Sequence, residues 1–420
     1  MSSGATSQLN ANEDVIFCLN PQISYFKSVY RKYTKFIVSD YETSNDLFFE
    51  QDTSGNINIP FPSQGELLSE VSIRIRKTQP TSGNLPDNIG TSLIDKVELL
   101  YQGASQANNN VLETVPAEYI NFMSMLNNNR TINSTYETDG NKLVCNNGNN
   151  YQNMALSGGV RYKIPADVSD RSKAYTMDAI VPIPFSFTKN IGSALPILKL
   201  IKENLSISIT QTSKEGIFDS EDFAKLFKFR AIFKFIYLSE EEKYRFKSSD
   251  QEYLISKVKK FSNNITISNF NISDNFVNHP ITSMFIVNNN DSFKEFSYQL
   301  LLRGVNMQSG FLPHEFYSKL NINQSFKGAI YKYHNQNNRT KDQQASENQI
   351  ISIENNISYI PFSLKTADGP SGCIDTSTND LKLKIYREDI VNHINLTLYV
   401  IYNTIMTVKD NNILFPYGYI

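Results

Sequence analysis

Short segments in which apolar and polar residues alternate with a period of two recur along the chain. In Phe227–Leu238, phenylalanine or alanine at every second position is separated mostly by lysine and arginine. Ser69–Lys77, Leu205–Ile209 and Leu381–Tyr386 carry the same pattern. Successive side chains of a strand point to opposite faces, so this alternation predicts strands with one buried face. The chain is therefore predicted to be all-β.

Asp178–Ile209 indicates how such strands are joined. Its first part, Ile180–Phe187, is rich in β-branched and aromatic residues, but Pro182 and Pro184 each remove a backbone donor. We therefore expect a strand at the edge of a sheet or at a bulge. Asn190–Ser193 has the composition of a turn.

The second half of the chain repeats the organisation of the first. Each half has short strands, one or two short helices and a long polar loop, 127–160 in the first half and 334–348 in the second. This duplication predicts two consecutive all-β sandwiches. The predicted boundaries are an N-terminal arm over 1–19, a first sandwich over 20–212, a linker over 213–226 and a second sandwich over 227–420. Pro116–Leu126 is predicted to be one of the helices, with Tyr119 on its apolar face.

Composition excludes several classes of protein. With 40 basic and 42 acidic residues, the chain has no overall field that would attract nucleic acid or an anionic membrane. Cys18, Cys145 and Cys373 are too far apart for a disulfide framework or a zinc motif, so we expect free thiols in a reducing compartment. Neither a signal peptide nor an apolar run of about 18 residues is recognisable, and we expect a protein that is soluble and intracellular when made.

The sequence also lacks a recognisable catalytic or metal motif. Its four histidines, His279, His314, His334 and His393, have no partner at metal-ligand spacing. The segment 369–373 approaches a nucleophile elbow but lacks the final glycine. We therefore predict no enzyme, no metal site and no cofactor.

A short basic helix is predicted near the N-terminus. Asn20 and Pro21 suit its N-cap and first position, and Ile23, Phe26 and Tyr30 fall on one face. The residues Lys27, Arg31, Lys32 and Lys35 gather toward its C-terminal end, where the helix dipole favours cations. Two interpretations are open: a solvated basic face, or a surface that contacts a membrane or an acidic partner.

Several segments, in chain order, resemble the major capsid proteins of nucleocytoplasmic large DNA viruses. The N-terminal one runs from Asn20 to Phe36. Another, Pro184–Pro196, is similar to the segment that closes the first jelly roll of that family, and Tyr237–Ile255 is similar to the start of the second. Shorter similarities lie at Asn278–Pro280 and at Pro370–Gly372. The matching residues of the first three segments are Asn20, Pro21, Gln22, Ile23, Phe26, Lys27, Val29, Tyr30, Arg31, Thr34, Phe36, Pro184, Phe185, Phe187, Asn190, Gly192, Ala194, Leu195, Pro196, Tyr237, Leu238, Glu241, Arg245, Phe246, Glu252, Tyr253, Leu254 and Ile255.

The resemblance implies two consecutive eight-stranded antiparallel jelly rolls with a few short helices. It also implies an icosahedral capsid built from homotrimeric, pseudo-hexagonal capsomers, and therefore a structural virion protein that makes no direct contact with nucleic acid. The helix bearing Lys27, Arg31, Lys32 and Lys35 would face the virion interior, toward minor capsid proteins or an internal membrane, and the long loops would face outward, where glycans could be attached. Two alternatives stay open: a minor capsid or scaffold protein of the same fold, and a glycan-binding module.

Overall fold

The computed structural model describes residues 32–48, 55–77, 89–102, 110–127, 136–139, 142–145, 177–212, 227–265, 269–271, 279–288, 296–326, 331–333, 351–353, 357–364, 371–376, 381–387 and 394–416. Phe36–Ile420 forms one compact unit, and Met1–Lys35 is a separate unit. No described helix is long and apolar enough to cross a membrane.

The first sandwich consists of two four-stranded antiparallel sheets. One sheet has the order β1-β10-β3-β8 and the other β2-β9-β4-β5. The strands are β1 (Phe36–Glu42), β2 (Asn56–Pro60), β3 (Leu67–Lys77), β4 (Ile94–Tyr101), β5 (Asn110–Pro116), β8 (Met177–Pro182), β9 (Leu205–Gln211) and β10 (Phe227–Leu238). A separate hairpin pairs β6 (Tyr136–Asp139) with β7 (Lys142–Cys145).

The second sandwich also consists of two antiparallel sheets, with the orders β11-β22-β13-β19 and β12-β21-β14-β15. Short strands extend both sheets, and a separate hairpin pairs β17 with β18. The strands are β11 (Gln251–Ile265), β12 (Asn269–Asn271), β13 (Pro280–Asn288), β14 (Phe296–Leu302), β15 (Val305–Asn306), β16 (Leu312–Pro313), β17 (Tyr331–Tyr333), β18 (Ile351–Ile353), β19 (Ile357–Pro361), β20 (Ile374–Asp375), β21 (Leu381–Arg387), β22 (Ile394–Lys409) and β23 (Asn412–Leu414).

The helices are short and occupy similar places in the two sandwiches. A helix follows the fifth strand of each sandwich, and in each case the small hairpin comes next along the chain. The helical segments are α1 (Ile89–Ser92), α2 (Ala117–Asn127), α3 (Glu240–Ser248), α4 (Ile322–Ser325), a π-helical turn at Phe316–Asn321, and 3₁₀ turns at Ser186–Thr188, Ile191–Ser193, Ile197–Lys199 and Lys202–Asn204. The helix predicted at Pro116–Leu126 is thus confirmed as α2.

Both sandwiches have the same strand order. When the main strands of each are numbered one to eight along the chain, the sheets read 1-8-3-6 and 2-7-4-5 in the first sandwich and again in the second. This arrangement of two four-stranded sheets is a jelly roll. The fifth position of the second sandwich is shared by β15 and β16, both of which pair with β14.

The position of β10 differs from the predicted domain boundary, which assigned residues 227–420 to the second sandwich. Its apolar residues, Phe227, Phe229, Ala231, Phe233 and Phe235, are all buried in the first sandwich. β10 pairs with β1 on one side and β3 on the other, so it is the eighth strand of the first jelly roll. Composition alone could not assign it, because an alternating strand suits either neighbour. The boundary therefore follows Leu238, where α3 begins the connection to β11. The predicted linker, 213–226, lies outside the described residues.

Candidate assembly surfaces

The predicted basic helix falls mostly outside the described residues, which include neither Lys27 nor Arg31. Lys32 and Lys35 are both exposed, but the segment from 32 to 35 has no regular secondary structure and β1 begins at Phe36. The predicted helix therefore does not extend over these two lysines.

The two sandwiches pack against each other through a cluster of aromatic rings. Tyr119 and Phe122 of α2, in the first sandwich, contact Phe285 of β13 and Tyr399 of β22 in the second. The ring centroids of Phe122 and Phe285 are 5.0 Å apart, and Phe285 also packs on Tyr359 of β19 at 4.6 Å. All five side chains are buried. One continuous apolar cluster thus joins the two sandwiches.

A buried carboxylate and a buried ammonium group lie at this junction. Both oxygens of Glu113, on β5, accept hydrogen bonds from the backbone N–H of Ser186 at 3.0 Å, and one also accepts from the Ser186 hydroxyl at 2.8 Å. Lys257, on β11, donates from Nζ to the carbonyl of Leu112 at 2.7 Å. The same Nζ lies 3.5 Å from the ring centroid of Phe415. Lys257 of the second sandwich is therefore hydrogen-bonded to the first, close enough to Glu113 for the two groups to interact electrostatically.

Burial dominates the electrostatics of both groups. It raises the pKa of the Glu113 carboxyl, although the positive charge of Lys257 and the hydrogen bonds from Ser186 act in the opposite direction. Burial lowers the pKa of Lys257 to about 8, and the carboxylate of Glu113 opposes this shift. Burying these two groups therefore costs free energy, which their mutual attraction and their hydrogen bonds offset in part.

Polar contacts surround the aromatic cluster. The Tyr399 hydroxyl donates a hydrogen bond to Glu118, and Lys260 forms an ion pair with the same carboxylate at 3.5 Å. Elsewhere, Lys189 Nζ donates to the carbonyl of Ser256 at 3.1 Å, and the Tyr101 hydroxyl donates to the carbonyl of Asn411 at 2.5 Å. Contacts of this kind fix the orientation of one sandwich relative to the other.

The equivalent sheet of the first sandwich has a different outer face. In the second sandwich, Phe285 on the third strand is flanked in register by Tyr399 and Tyr359. In the first, Arg74 on the third strand is flanked by Arg230 and Ile180. This face is polar and partly exposed, and Ile180 is 39% exposed.

Ion pairs order the charged side chains on this outer face. Arg74 binds Glu42 at 3.0 Å, and Arg230 binds Asp46 at 2.6 Å. Lys228 reaches the other oxygen of Asp46 at 3.1 Å. Hydrogen bonds from Arg230 and Lys228 lower the pKa of the Asp46 carboxyl. The pairs are accessible to solvent, so each contributes little to the stability of the single chain.

A repeated tetrapeptide marks equivalent turns of the two sandwiches. Ile-Pro-Phe-Ser occurs at 183–186, after β8, and again at 360–363, at the end of β19. Both copies lie at the C-terminal end of the sixth strand of a jelly roll. The next residue is Phe187 in the first copy, which is 2% exposed, and Leu364 in the second, which is 90% exposed. Sequence analysis missed this repeat, although a comparison of the two halves could have found it.

His279, His314 and Cys373 are candidate metal ligands or reactive groups by residue type, and the sequence contains few of either type. His279 and His314 are both buried, and His314 Nδ1 lies 2.6 Å from the Ser358 hydroxyl. Burial lowers the pKa of His279. Cys373 is an exposed free thiol. Within the described ranges no group of three or more His, Cys, Asp or Glu residues could hold a metal ion.

Comparison with known proteins shows what this chain is similar to. A family model described as "Major capsid protein N-terminus" matches residues 24–226. The major capsid protein of Pyramimonas orientalis virus is 25% identical over 276 residues, which is 66% of this chain and 62% of the relative. Capsid protein 1 of Acanthamoeba polyphaga mimivirus is 23% identical over 300 residues, 66% of this chain and 46% of the relative.

The predicted resemblance to viral major capsid proteins is confirmed. This chain matches less than two thirds of the length of those relatives. The structure is also similar to a chain of the quasi-atomic model of the PBCV-1 virus capsid, with a TM-score of 0.66 and 14% identity, covering 94% of this chain and all of the other. The Faustovirus major capsid protein gives a TM-score of 0.57 at 8% identity, with 96% of each chain covered. These structural likenesses show the fold, a double jelly roll as predicted.

Proposed function

We propose that this protein is a structural capsid protein that forms the shell of a large DNA virus. The observation that supports this proposal most directly is the packing of two jelly rolls of identical strand order against each other through a buried aromatic cluster. Two blocks of the same fold in fixed orientation give each subunit the repeated shape with which to tile a shell. The relatives named as major capsid proteins support the same function.

The finer features of the proposal come from the capsid resemblance. Three copies form a pseudo-hexagonal capsomer, capsomers then associate with one another, and the protein acts by assembly rather than by catalysis. The protein resides in the virion after synthesis in the host cytoplasm. Stable homomeric contacts of this type bury more than about 2,000 Å² and are apolar at their centre.

The solution mass of the recombinant protein, measured by light scattering, tests whether three copies form a capsomer. A single species of three times the 47.8 kDa chain mass, stable to dilution, is expected. A monodisperse monomer would remove the capsomer from the proposal. Stoichiometry in purified virions then separates a major shell protein, present in many copies, from a minor capsid or scaffold protein of the same fold.

The basic segment near the N-terminus provides a second test. We propose that Lys27, Arg31, Lys32 and Lys35 face the virion interior and contact minor capsid proteins or an internal membrane. Charge reversal in a triple variant (Lys27→Glu, Arg31→Glu and Lys35→Glu) is expected to leave the trimer intact and to reduce the yield of closed shells in electron micrographs. A normal yield of shells from this variant would contradict the assignment.

A further inference from the structure

The turn that follows the sixth strand is buried in one sandwich and exposed in the other. In the first sandwich, the turn at Ser186–Thr188 contacts β11, the first strand of the second sandwich, and Phe187 belongs to the buried cluster that spans both. Leu364 follows the same tetrapeptide in the second sandwich, yet its side chain is almost fully exposed. Because the equivalent turn of the first sandwich packs against the next sandwich, the exposed Leu364 indicates a contact that a single chain does not complete.

The backbone of this second turn is well anchored. Phe362 N–H donates to the carbonyl of Thr282 at 2.9 Å, and Leu364 N–H donates to the carbonyl of Ser371 at 3.4 Å. Gly372 has a φ of 141°, and a side chain at this position would lie 3.3 Å from the carbonyl oxygen of Phe362. Leu364 therefore lies on the surface in a turn whose backbone is held by hydrogen bonds.

The matching surface is the first strand of the first sandwich. In the second sandwich the first strand is β11, which the Ser186–Thr188 turn covers. The equivalent strand, β1, lies at the edge of its sheet and pairs only with β10 among the described strands. Its residues Phe36, Ile37 and Val38 are exposed, and Ile37 is 69% exposed. An apolar edge strand of this kind is an association surface.

We infer that copies of this chain associate head to tail, with Leu364 of the second sandwich packed on β1 of the next copy. The contact repeats between chains the one that the Ser186–Thr188 turn makes with β11 within the chain. Such a contact uses two different surfaces, so it forms a ring if the rotation closes. The inference rests on the proposed function only for the number of copies in the ring, three.

The outer face of β1, β3, β8 and β10 lies beside this contact. In the second sandwich the equivalent face is covered by the aromatic side chains of α2, whereas Arg74 and Arg230 occupy it here. Arginine is enriched in protein interfaces because its planar guanidinium both stacks and pairs. The contact between chains thus has an apolar centre at Leu364 and β1 beside a charged sheet.

Solution mass is the first test, with the full-length chain. Leu364→Asp and, separately, Ile37→Asp are expected to raise the dissociation constant at least about tenfold per contact, the effect of exposing one buried leucine. Both residues are exposed in the single chain, so neither change disturbs folding. The matched control is Leu414→Asp, an exposed leucine on β23, which should leave the mass of the oligomer unchanged.

Three outcomes are distinguishable. If the wild type and the Leu414 variant form the oligomer and the other two variants dissociate, the inference is supported. If all four proteins form the same oligomer with the same dissociation constant, the inference is overturned while the proposed capsomer stands. If the wild type is monomeric at every concentration, both are overturned.

Cross-linking tests the direction of the contact independently. In a chain with Cys18, Cys145 and Cys373 replaced by serine, the pair Ile37→Cys and Leu364→Cys should give covalent dimers and trimers with a short bismaleimide. Each cysteine alone should give none, because head-to-tail packing does not bring two copies of one residue together. Cross-linked dimers from a single-cysteine chain would overturn the inference.

Discussion

The two jelly rolls have the same strand order but present opposite chemistry on equivalent sheet faces. The outer face of the second carries the buried row Tyr399–Phe285–Tyr359, and that of the first carries the partly exposed row Arg230–Arg74–Ile180. Strand order is therefore independent of which outer face is apolar. The aromatic face forms a junction within the chain, whereas the charged face is partly exposed in the single chain. A charged face of this kind favours the solubility of the free chain.

The largest expected difference in stability between the two faces comes from replacing the central residue of each row. Phe285→Ala should lower the free energy of unfolding by about 3–5 kcal/mol, since it leaves a cavity among four aromatic rings. Arg74→Ala, at the equivalent position, should change it by less than about 1 kcal/mol, because its ion pair is accessible to solvent. Denaturant titration of both variants measures the difference. Equal effects would mean that the two faces contribute alike to the single chain.

Removing a buried charged group from the junction is expected to have the next largest effect on the free energy of unfolding. Glu113→Ala should lower the free energy of unfolding by about 3 kcal/mol, because the buried donors of Ser186 lose their acceptor and Lys257 loses a nearby carboxylate. The matched control is Glu98→Ala, which removes a carboxylate from the neighbouring strand β4, where its partner Lys96 is more exposed. That change should cost less than about 1 kcal/mol. A small effect at Glu113, measured by the same titration, would show that the junction tolerates the loss of this carboxylate.

The dependence of stability on pH gives a smaller and more specific effect. Lys257 has a pKa lowered by burial to about 8, against an ordinary value of 10.5. Below pH 8, Lys257 is charged in both the folded and the unfolded chain, so the folded chain bears the full free-energy cost of a buried charge. Between these two values the unfolded chain keeps a proton that the folded chain has released, so the free energy of unfolding rises with pH by at most about 1.4 kcal/mol per unit.

Lys257→Met isolates this contribution. The difference in free energy of unfolding between wild type and variant should grow in favour of the wild type as the pH rises from 8 toward 10.5. Tyrosines that titrate in the same range are present in both proteins, so their effect cancels in the difference. A difference that stays constant with pH would indicate that Lys257 keeps an ordinary pKa in the folded chain.

Much of the fold was predictable because alternation records which face of a strand is buried. Ser69–Lys77, Leu205–Ile209 and Phe227–Leu238 all lie within strands of the structure. The strand predicted at Ile180–Phe187 lies at a sheet edge as expected, but it ends at Pro182, and a 3₁₀ turn follows at Ser186–Thr188. The assignment of Phe227–Leu238 to a sandwich failed, because alternation shows the period of a strand and not its neighbours. Strand pairing is set by contacts far apart in sequence.

The assembly surfaces were less predictable than the fold. The resemblance directed attention to the basic residues near the N-terminus, whereas the structure draws attention to Leu364 and β1. Leu364 lies in a short turn with no periodicity, so its importance shows only when its exposure is compared with that of Phe187. The same holds for Glu113, which sequence alone does not distinguish from the other acidic residues of exposed strand faces. Burial, not residue type, identifies these positions.

Single-particle imaging of the recombinant oligomer tests the central claim most directly, namely that one chain supplies two equivalent blocks of a capsid ring. The account predicts a closed ring of alternating first and second sandwiches, with Leu364 of each copy buried against β1 of the next. A ring in which Leu364 faces solvent, or an assembly that joins identical surfaces of two copies, would contradict it.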